Sequence, residues 1–187
     1  DSIRGQAFRA KPMVGKISRL PGLRLMSWTD TNFQKANLPI ITALRLPKHY
    51  AIINAPAHDS DTQLLQQLEQ LAGKGIGLVQ LRAKCLDDAA YRRLAQVLLS
   101  YAKTLNLQLL LNADAELALK LGAAGVHLTA KRLMAATQRP LPSSFWVAAS
   151  CHTAAELAQA EHIAADFAVL SPVQATASHP DALPLGW

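Results

Sequence analysis

From residue 50 to residue 171, short apolar runs alternate six times with amphipathic stretches, and this alternation restricts the fold more than any other feature of the chain. The runs are "YAIIN" (50–54), "GLVQLRAK" (77–84), "LQLLLN" (107–112), "GVHL" (125–128), "FWVAAS" (145–150) and "DFAVLS" (166–171). Their length and their β-branched and leucine content predict strands, with Ala51, Ile52 and Ile53 the centre of the first. Between the first two runs, Leu64, Leu65, Leu68, Leu71 and Ala72 keep helical spacing behind a cap at Ser60 or Asp61, and the pattern stops at Gly73 and Gly75. Tyr91, Leu94, Ala95, Leu98, Ala102 and Leu105 do the same behind Asp87, and shorter helices are predicted over 114–122, 130–138 and 153–163. Strands alternating with helices over short connections build a parallel sheet covered by helices.

Such a sheet either stays open and doubly wound or closes into a barrel. The first strand-to-helix turn, "NAPAHDSD", lacks the G-x-G-x-x-G of a dinucleotide-binding turn, which disfavours the open form. Polar side chains gather instead at the C-terminal ends of successive strands. They are Gln80, Arg82 and Lys84; Asn112 and Asp114; His127 and Thr129; Ser150 and His152; and Ser171, Gln174, Thr176 and Ser178. A barrel brings those ends into one ring, where barrel enzymes keep their sites. The fold class expected is therefore α/β, a TIM (β/α)8-type barrel of which this chain holds about six βα units.

Within "GLVQLRAK", Gln80, Arg82 and Lys84 fall at period two, on the opposite face to Val79 and Leu81. A buried guanidinium without a partner costs several kcal/mol, so a converging Gln80 and Arg82 point to a bound anion. Lys84 reads equally well as a surface lysine whose stem covers apolar neighbours. Asp114 and Thr153 read first as helix caps, and His127, inside a tight apolar strand, as a core histidine with satisfied hydrogen bonds. The loop "SPVQATAS" adds hydroxyls and backbone N–H groups of the kind that cradle a phosphate.

The formal charge of +6 is unevenly placed. Residues 1–48 carry nine Lys or Arg against Asp1 and Asp30, a balance of +7, whereas residues 49–187 balance to −1. The basic segment has Pro12, Pro21, Pro39 and Pro47, little amphipathic period and no interleaved aromatics, so it reads as a linker or the tail of another domain rather than a nucleic-acid surface. No apolar run reaches the roughly 20 residues of a membrane helix, and nothing resembles a signal peptide, so the expectation is a soluble, cytoplasmic protein. Cys85 and Cys151 are too few and too far apart for a disulfide framework or a four-ligand zinc site.

The motifs "VQLRAK", "LLLNADAELA", "GAAGVHLT", "ASCHTAAELAQAE" and "DFAVLSPVQATASHP" stand in the order and at the spacings of the thiamine-phosphate synthase/TenI superfamily, which the chain resembles from about residue 49 onward. The resemblance implies a barrel binding phosphorylated small molecules of thiamine biosynthesis or salvage. In the synthase branch a hydroxymethylpyrimidine diphosphate is coupled to a thiazole phosphate with Mg²⁺ on the leaving diphosphate. By that resemblance Gln80, Arg82 and Lys84 would hold diphosphate, Asn112 and Ser150 would line the pyrimidine and diphosphate pocket, and Thr176 and Ser178 would hold the thiazole phosphate. The other branch moves a proton on a thiazole phosphate without a metal, and His152 is the residue expected to serve it.

This chain departs from the synthase pattern at its metal ligands. Asn-Asp-Asp is replaced by Asn112, Ala113 and Asp114, and the second acidic ligand is replaced by Lys131 and Arg132. The lysine that follows the hydroxyls of the sixth strand is His179. No metal ligand is therefore assigned, Mg²⁺ is in doubt, and Arg132 is the candidate to replace part of its charge. The stretch "PGLRLMSWTDTNFQKANLPIITALRLPKHY" resembles the tail and linker of a Nudix (MutT-like) hydrolase fused to such a barrel, without the Nudix box itself. The expected organisation is thus 1–48 as linker or Nudix-like tail and 49–187 as barrel, with the last two βα units of a closed barrel beyond the C-terminus.

Overall fold

The computed structural model describes residues 17–18, 46–55 and 60–171. The elements run β1 (Ile17–Ser18), β2 (Tyr50–Asn54), α1 (Asp61–Gly73), β3 (Leu78–Arg82), α2 (Asp88–Thr104), β4 (Gln108–Leu111), α3 (Ala115–Leu121), β5 (Gly125–Leu128), α4 (Ala130–Ala135), β6 (Trp146–Cys151), α5 (Ala154–His162) and β7 (Phe167–Leu170). All six expected strands and all five expected helices are present. Each helix starts where its capping side chain accepts a backbone N–H: Ser60 from Gln63, Asp87 from Ala90, Asp114 from Leu117, Thr129 from Arg132 and Thr153 from Glu156. Ser60 and Gln63 form a full capping box.

The sheet order is β1-β7-β6-β5-β4-β3-β2, and β2 through β7 pair parallel, each with the next in sequence. Every new strand is added on the same side, so the order never reverses as it does in a doubly wound sheet. Curvature is visible in side chains that meet across the interior. Tyr50 on β2 and Phe167 on β7 lie five strand spacings apart, roughly 24 Å in a flat sheet. Their rings nevertheless meet edge to face with centroids 5.0 Å apart. The six parallel strands are therefore curled into a half-barrel.

Strand parity sorts the two layers. Val79, Leu81, Leu109, Leu111, Val126, Val147, Ala149 and Ala168 face outward and bury against Leu64, Leu68, Leu94, Leu98, Leu133 and Ile163 of the helix layer. Leu78, Leu110, Trp146, Ala148 and Phe167 fill the inside, packed with Tyr50 and Val169. Gly125 is required by this packing, since a Cβ there would stand 2.0 Å from the Trp146 carbonyl oxygen. At the bottom of β6 and β7, Arg139 is half-buried and pairs with Asp166 at 2.8 Å, while also donating to the carbonyls of Leu141, Phe145 and Ala164.

Four local expectations need adjustment. β3 ends at Arg82, and Lys84 lies in the following turn rather than on the strand face. The helix expected over 130–138 stops at Ala135, because Ala136 is extended and its carbonyl accepts from Gln159 Nε2 of α5 at 2.6 Å. The strand expected over 145–150 starts and ends one residue later, the Phe145 N–H being taken by the Pro142 carbonyl. β1 lies in the leading segment expected to be irregular; it pairs antiparallel with β7, Ile17 opposite Val169. A two-residue strand has no alternation to read, and its partner edge exists only once β7 has formed. Among the described residues no helix is long and apolar enough to cross a membrane.

Candidate functional site

The register β2/β3 places Asn54 opposite Arg82 at the C-terminal end of the sheet. Both point to the inner side, the parity they share with Leu78 and Gln80, and Arg82 Nη1 donates to Asn54 Oδ1 at 2.8 Å. Beside this pair opens a pocket of about 280 Å³, lined among others by Arg82, Lys84, Asn112, Asp114, Thr129 and Arg132. These residues end or follow β3, β4 and β5, so the pocket lies where strand ends face the barrel mouth. Arg132 Nη1 donates to Asn112 Oδ1 at 3.4 Å, which leaves the Asn112 amide nitrogen as a donor. Asp114 Oδ1 accepts from Leu117 N at 2.8 Å and is committed to capping α3. With Asp88 the pocket has two carboxylates against three cationic side chains, so its balance favours an anion.

The other expected residues occupy neighbouring positions. Gln80 sits below Arg82 inside the barrel, 1% exposed, and donates to the Tyr50 hydroxyl at 3.0 Å. His127 is 2% exposed and bonded at both nitrogens, Nδ1 to the Tyr50 hydroxyl and Nε2 to Ser150 Oγ, each at 2.8 Å. It is the satisfied core histidine that its strand context implied. Burial, aided by the Arg82 charge, lowers its pKa to about 3. His152 is exposed beyond β6; its Nδ1 lies 2.5 Å from the Ser171 carbonyl oxygen, and among the described residues Nε2 has no hydrogen-bond partner. Thr176, Ser178 and His179 lie outside the described residues. Cys85 is exposed, Cys151 is buried on the helix side, and both are free thiols.

Arg82, Lys84 and Asn112 are thus brought together, whereas Gln80 and Ser150 belong to the interior hydrogen-bond chain and His152 stands beyond β6. Sequence reasoning missed Asn54 and the Tyr50 hydroxyl. Their signal was parity: 50, 52 and 54 share the inward face with 78, 80 and 82 once the register of β2 against β3 is known. A second opening, about 470 Å³, lies on the outer helix layer between Leu65, Gln96, Val97, Ser100, Tyr101 and Thr104, with no convergent charge.

The family model described as thiamine monophosphate synthase matches residues 49–187. The chain belongs to this family. The match begins where the regular strand–helix alternation begins. Among the similar proteins, a provisionally named thiamine-phosphate synthase of Aquifex aeolicus is 34% identical over 143 residues, covering 76% of each chain. The thiamine-phosphate synthase of Herpetosiphon aurantiacus is 36% identical over 140 residues, covering 73% of this chain and 66% of its own. The solved thiamine phosphate pyrophosphorylase of Pyrococcus furiosus superposes with a TM-score of 0.53 at 18% identity, over 73% of this chain and 64% of that one. At that identity the superposition speaks for the fold. The chain spans just under two thirds of the Herpetosiphon protein and of the Pyrococcus structure. In this thiamine monophosphate synthase family member, the motifs read from the sequence and the matched region coincide.

Proposed function

We propose that this chain is a thiamine-phosphate synthase/TenI-type domain that binds a phosphorylated pyrimidine or thiazole of thiamine biosynthesis or salvage, with Arg82, Lys84 and Arg132 as its anion-binding groups. The observation that carries the reading is the pocket at the ends of β3, β4 and β5 with three cations, the Asn112 amide and two carboxylates. Where the synthase reaction runs, a carbon–oxygen bond to the diphosphate breaks as the thiazole nitrogen bonds to that carbon. Fixed cations around the departing oxygens stabilise the charge that develops on them.

The residues do not fit a two-carboxylate Mg²⁺ site. Ala113 is buried where the related pattern has its first aspartate, Asp114 caps α3, and Lys131 and Arg132 stand where the second acid is expected. Among the described residues no three His, Cys, Asp or Glu side chains converge. In this reading Arg132 carries charge that a divalent ion would otherwise carry. Calorimetric titration with pyrophosphate, with and without Mg²⁺, tests it. The expected result is binding that Mg²⁺ does not strengthen and that Arg132→Ala weakens about tenfold, on the order of a charge-assisted hydrogen bond. Binding that requires Mg²⁺, or no binding, overturns it.

One observation favours a second reading, a metal-independent thiazole phosphate tautomerase. The Nδ1 contact of His152 with the Ser171 carbonyl fixes the orientation of its ring, as a general base or acid requires. Proton exchange on a thiazole phosphate that His152→Ala abolishes would select this reading; diphosphate release from a pyrimidine substrate would select the first. If neither occurs while pyrophosphate binds, the domain is a ligand-binding module. We further propose that residues 1–48 join this barrel, residues 49–187, to a Nudix-like domain in cis, a reading supported by the sequence resemblance and the +7 balance of the segment. Nucleotide diphosphate hydrolysis by the parent chain would test it, and its absence would remove it.

A further inference from the structure

Tyr91 is the first buried residue of α2, whose N-terminus follows the turn after β3. Its ring packs in one cluster with Leu94, Ala95 and Leu98 under the helix, which accounts for the apolar spacing of that stretch. Its hydroxyl is not accounted for by packing. Tyr91 is 8% exposed and lines the pocket together with Asn112, Ala113 and Arg132. A buried phenol ordinarily has a hydrogen-bond partner at about 2.7–2.8 Å. Here the hydroxyl donates to the Leu81 carbonyl oxygen at 3.5 Å, the outer limit of such a bond, and that carbonyl already accepts the Asn112 N–H at 3.1 Å. Among the described residues the hydroxyl donates to no other group. Burial disfavours the phenolate, so the oxygen keeps its proton, and Arg132 and Asp114 lie close enough for their charges to act on it.

This corner of the pocket is rich in donors. Arg132 brings a guanidinium, Asn112 its amide nitrogen and Tyr91 a weakly engaged proton, while Ala113 brings no polar side-chain atom. Against them stands Asp114, one oxygen of which is committed to the cap of α3. We infer that the Tyr91 hydroxyl is a further binding group of the pocket, donating to an oxygen of the bound anion beside Arg132 and the Asn112 amide. The inference deepens the proposed function and rests on it for the pocket being an anion site. It adds a residue from the helix layer, which the gathering of polar groups at strand ends does not reach. The division of labour is physical. Cations attract an anion over a distance and are screened by salt, whereas an uncharged phenol acts on contact and is not.

Tyr91→Phe keeps the ring and removes only the oxygen. Calorimetry of the full chain with pyrophosphate should show about tenfold weaker binding for this variant, and the loss should persist at about 0.5 M salt, where the loss in Arg132→Ala shrinks. The thermal unfolding midpoint of Tyr91→Phe should match wild type, since the bond it gives up within the protein is the 3.5 Å one. Tyr101→Phe is the control, because that hydroxyl serves Glu69 on the outer helix layer; it should bind pyrophosphate as wild type does. Pyrophosphate should also perturb the near-ultraviolet tyrosine absorbance of wild type and Tyr101→Phe, and not that of Tyr91→Phe. Unchanged binding in Tyr91→Phe overturns the inference and leaves the pocket reading standing. A loss that salt removes, or that comes with a lowered unfolding midpoint, also overturns it, because the hydroxyl would then act through the cations or through the fold. Absence of pyrophosphate binding in wild type overturns the pocket reading and the inference together.

Discussion

Arg82 and Asn54 face each other across the β2–β3 pair, and the guanidinium donates to the Asn54 side-chain oxygen at 2.8 Å. The contact holds one edge of the guanidinium against β2 while Arg82 lines the pocket. Asn54→Ala should therefore weaken pyrophosphate binding about threefold to fivefold by freeing the arginine rotamer, while Arg82→Ala should cost tenfold or more. Calorimetry of both variants checks the order; an Asn54→Ala loss equal to that of Arg82→Ala would mean that Asn54 touches the ligand itself.

Lys84 and Arg132 are exposed, unlike Gln80 and His127. Their attraction for an anion is screened by salt. Pyrophosphate affinity should fall as ionic strength rises from about 0.05 M to 0.5 M, and the slope should flatten in the Lys84→Ala/Arg132→Ala double variant. A salt-independent affinity would place the anion deeper, on the interior hydrogen-bond chain.

His127 ties stability to pH. Its folded pKa, about 3, lies below the ordinary value of 6.5, so the unfolded state binds the proton more readily. The stability involved is present above about pH 6.5 and is lost as pH falls toward 3, amounting to about 3 kcal/mol by about pH 4.5. Urea unfolding between pH 7 and 4 should show this decline in wild type and a shallower one in His127→Asn. Equal slopes would show that other groups dominate acid unfolding.

Arg139 lies at the opposite end of the sheet from the pocket, joining the start of β6 and β7 through Asp166, which also accepts the Val147 N–H at 2.7 Å. Arg139→Ala leaves the half-buried Asp166 carboxylate without its cation and three carbonyls without the guanidinium donor, and should destabilise the protein by about 2–3 kcal/mol. Thermal or urea unfolding measures the loss. Pyrophosphate affinity of the folded variant should be unchanged, and a parallel drop in affinity would contradict the separation of the two ends.

Much of the fold is legible because its signals are local. Ser60, Asp87, Asp114 and Thr153 cap helices whose apolar spacing announces them, and six short runs alternate with the helices from Tyr50 on. Ring residues at strand ends are legible for the same reason, since a parallel sheet puts successive C-terminal ends on one side. Less was visible where two distant segments decide the outcome. The α4 helix ends early because Gln159, on a later helix, takes a carbonyl that helix continuation would need. Lys84 leaves the strand face because the chain turns after Arg82, a change that alternation alone does not mark.

Sequence alone determined that this chain alternates strand and helix, where each helix begins, and that Gln80 and Arg82 share one face, because capping and periodicity act over three or four residues. Tertiary structure decided that the sheet curls and that Tyr50 meets His127, 77 residues away, with Ser150 on the other ring nitrogen. The physical reason is that a hydrogen-bond partner across a barrel is set by curvature and register, which arise from the packing of all the strands together and leave no mark in the spacing of any one.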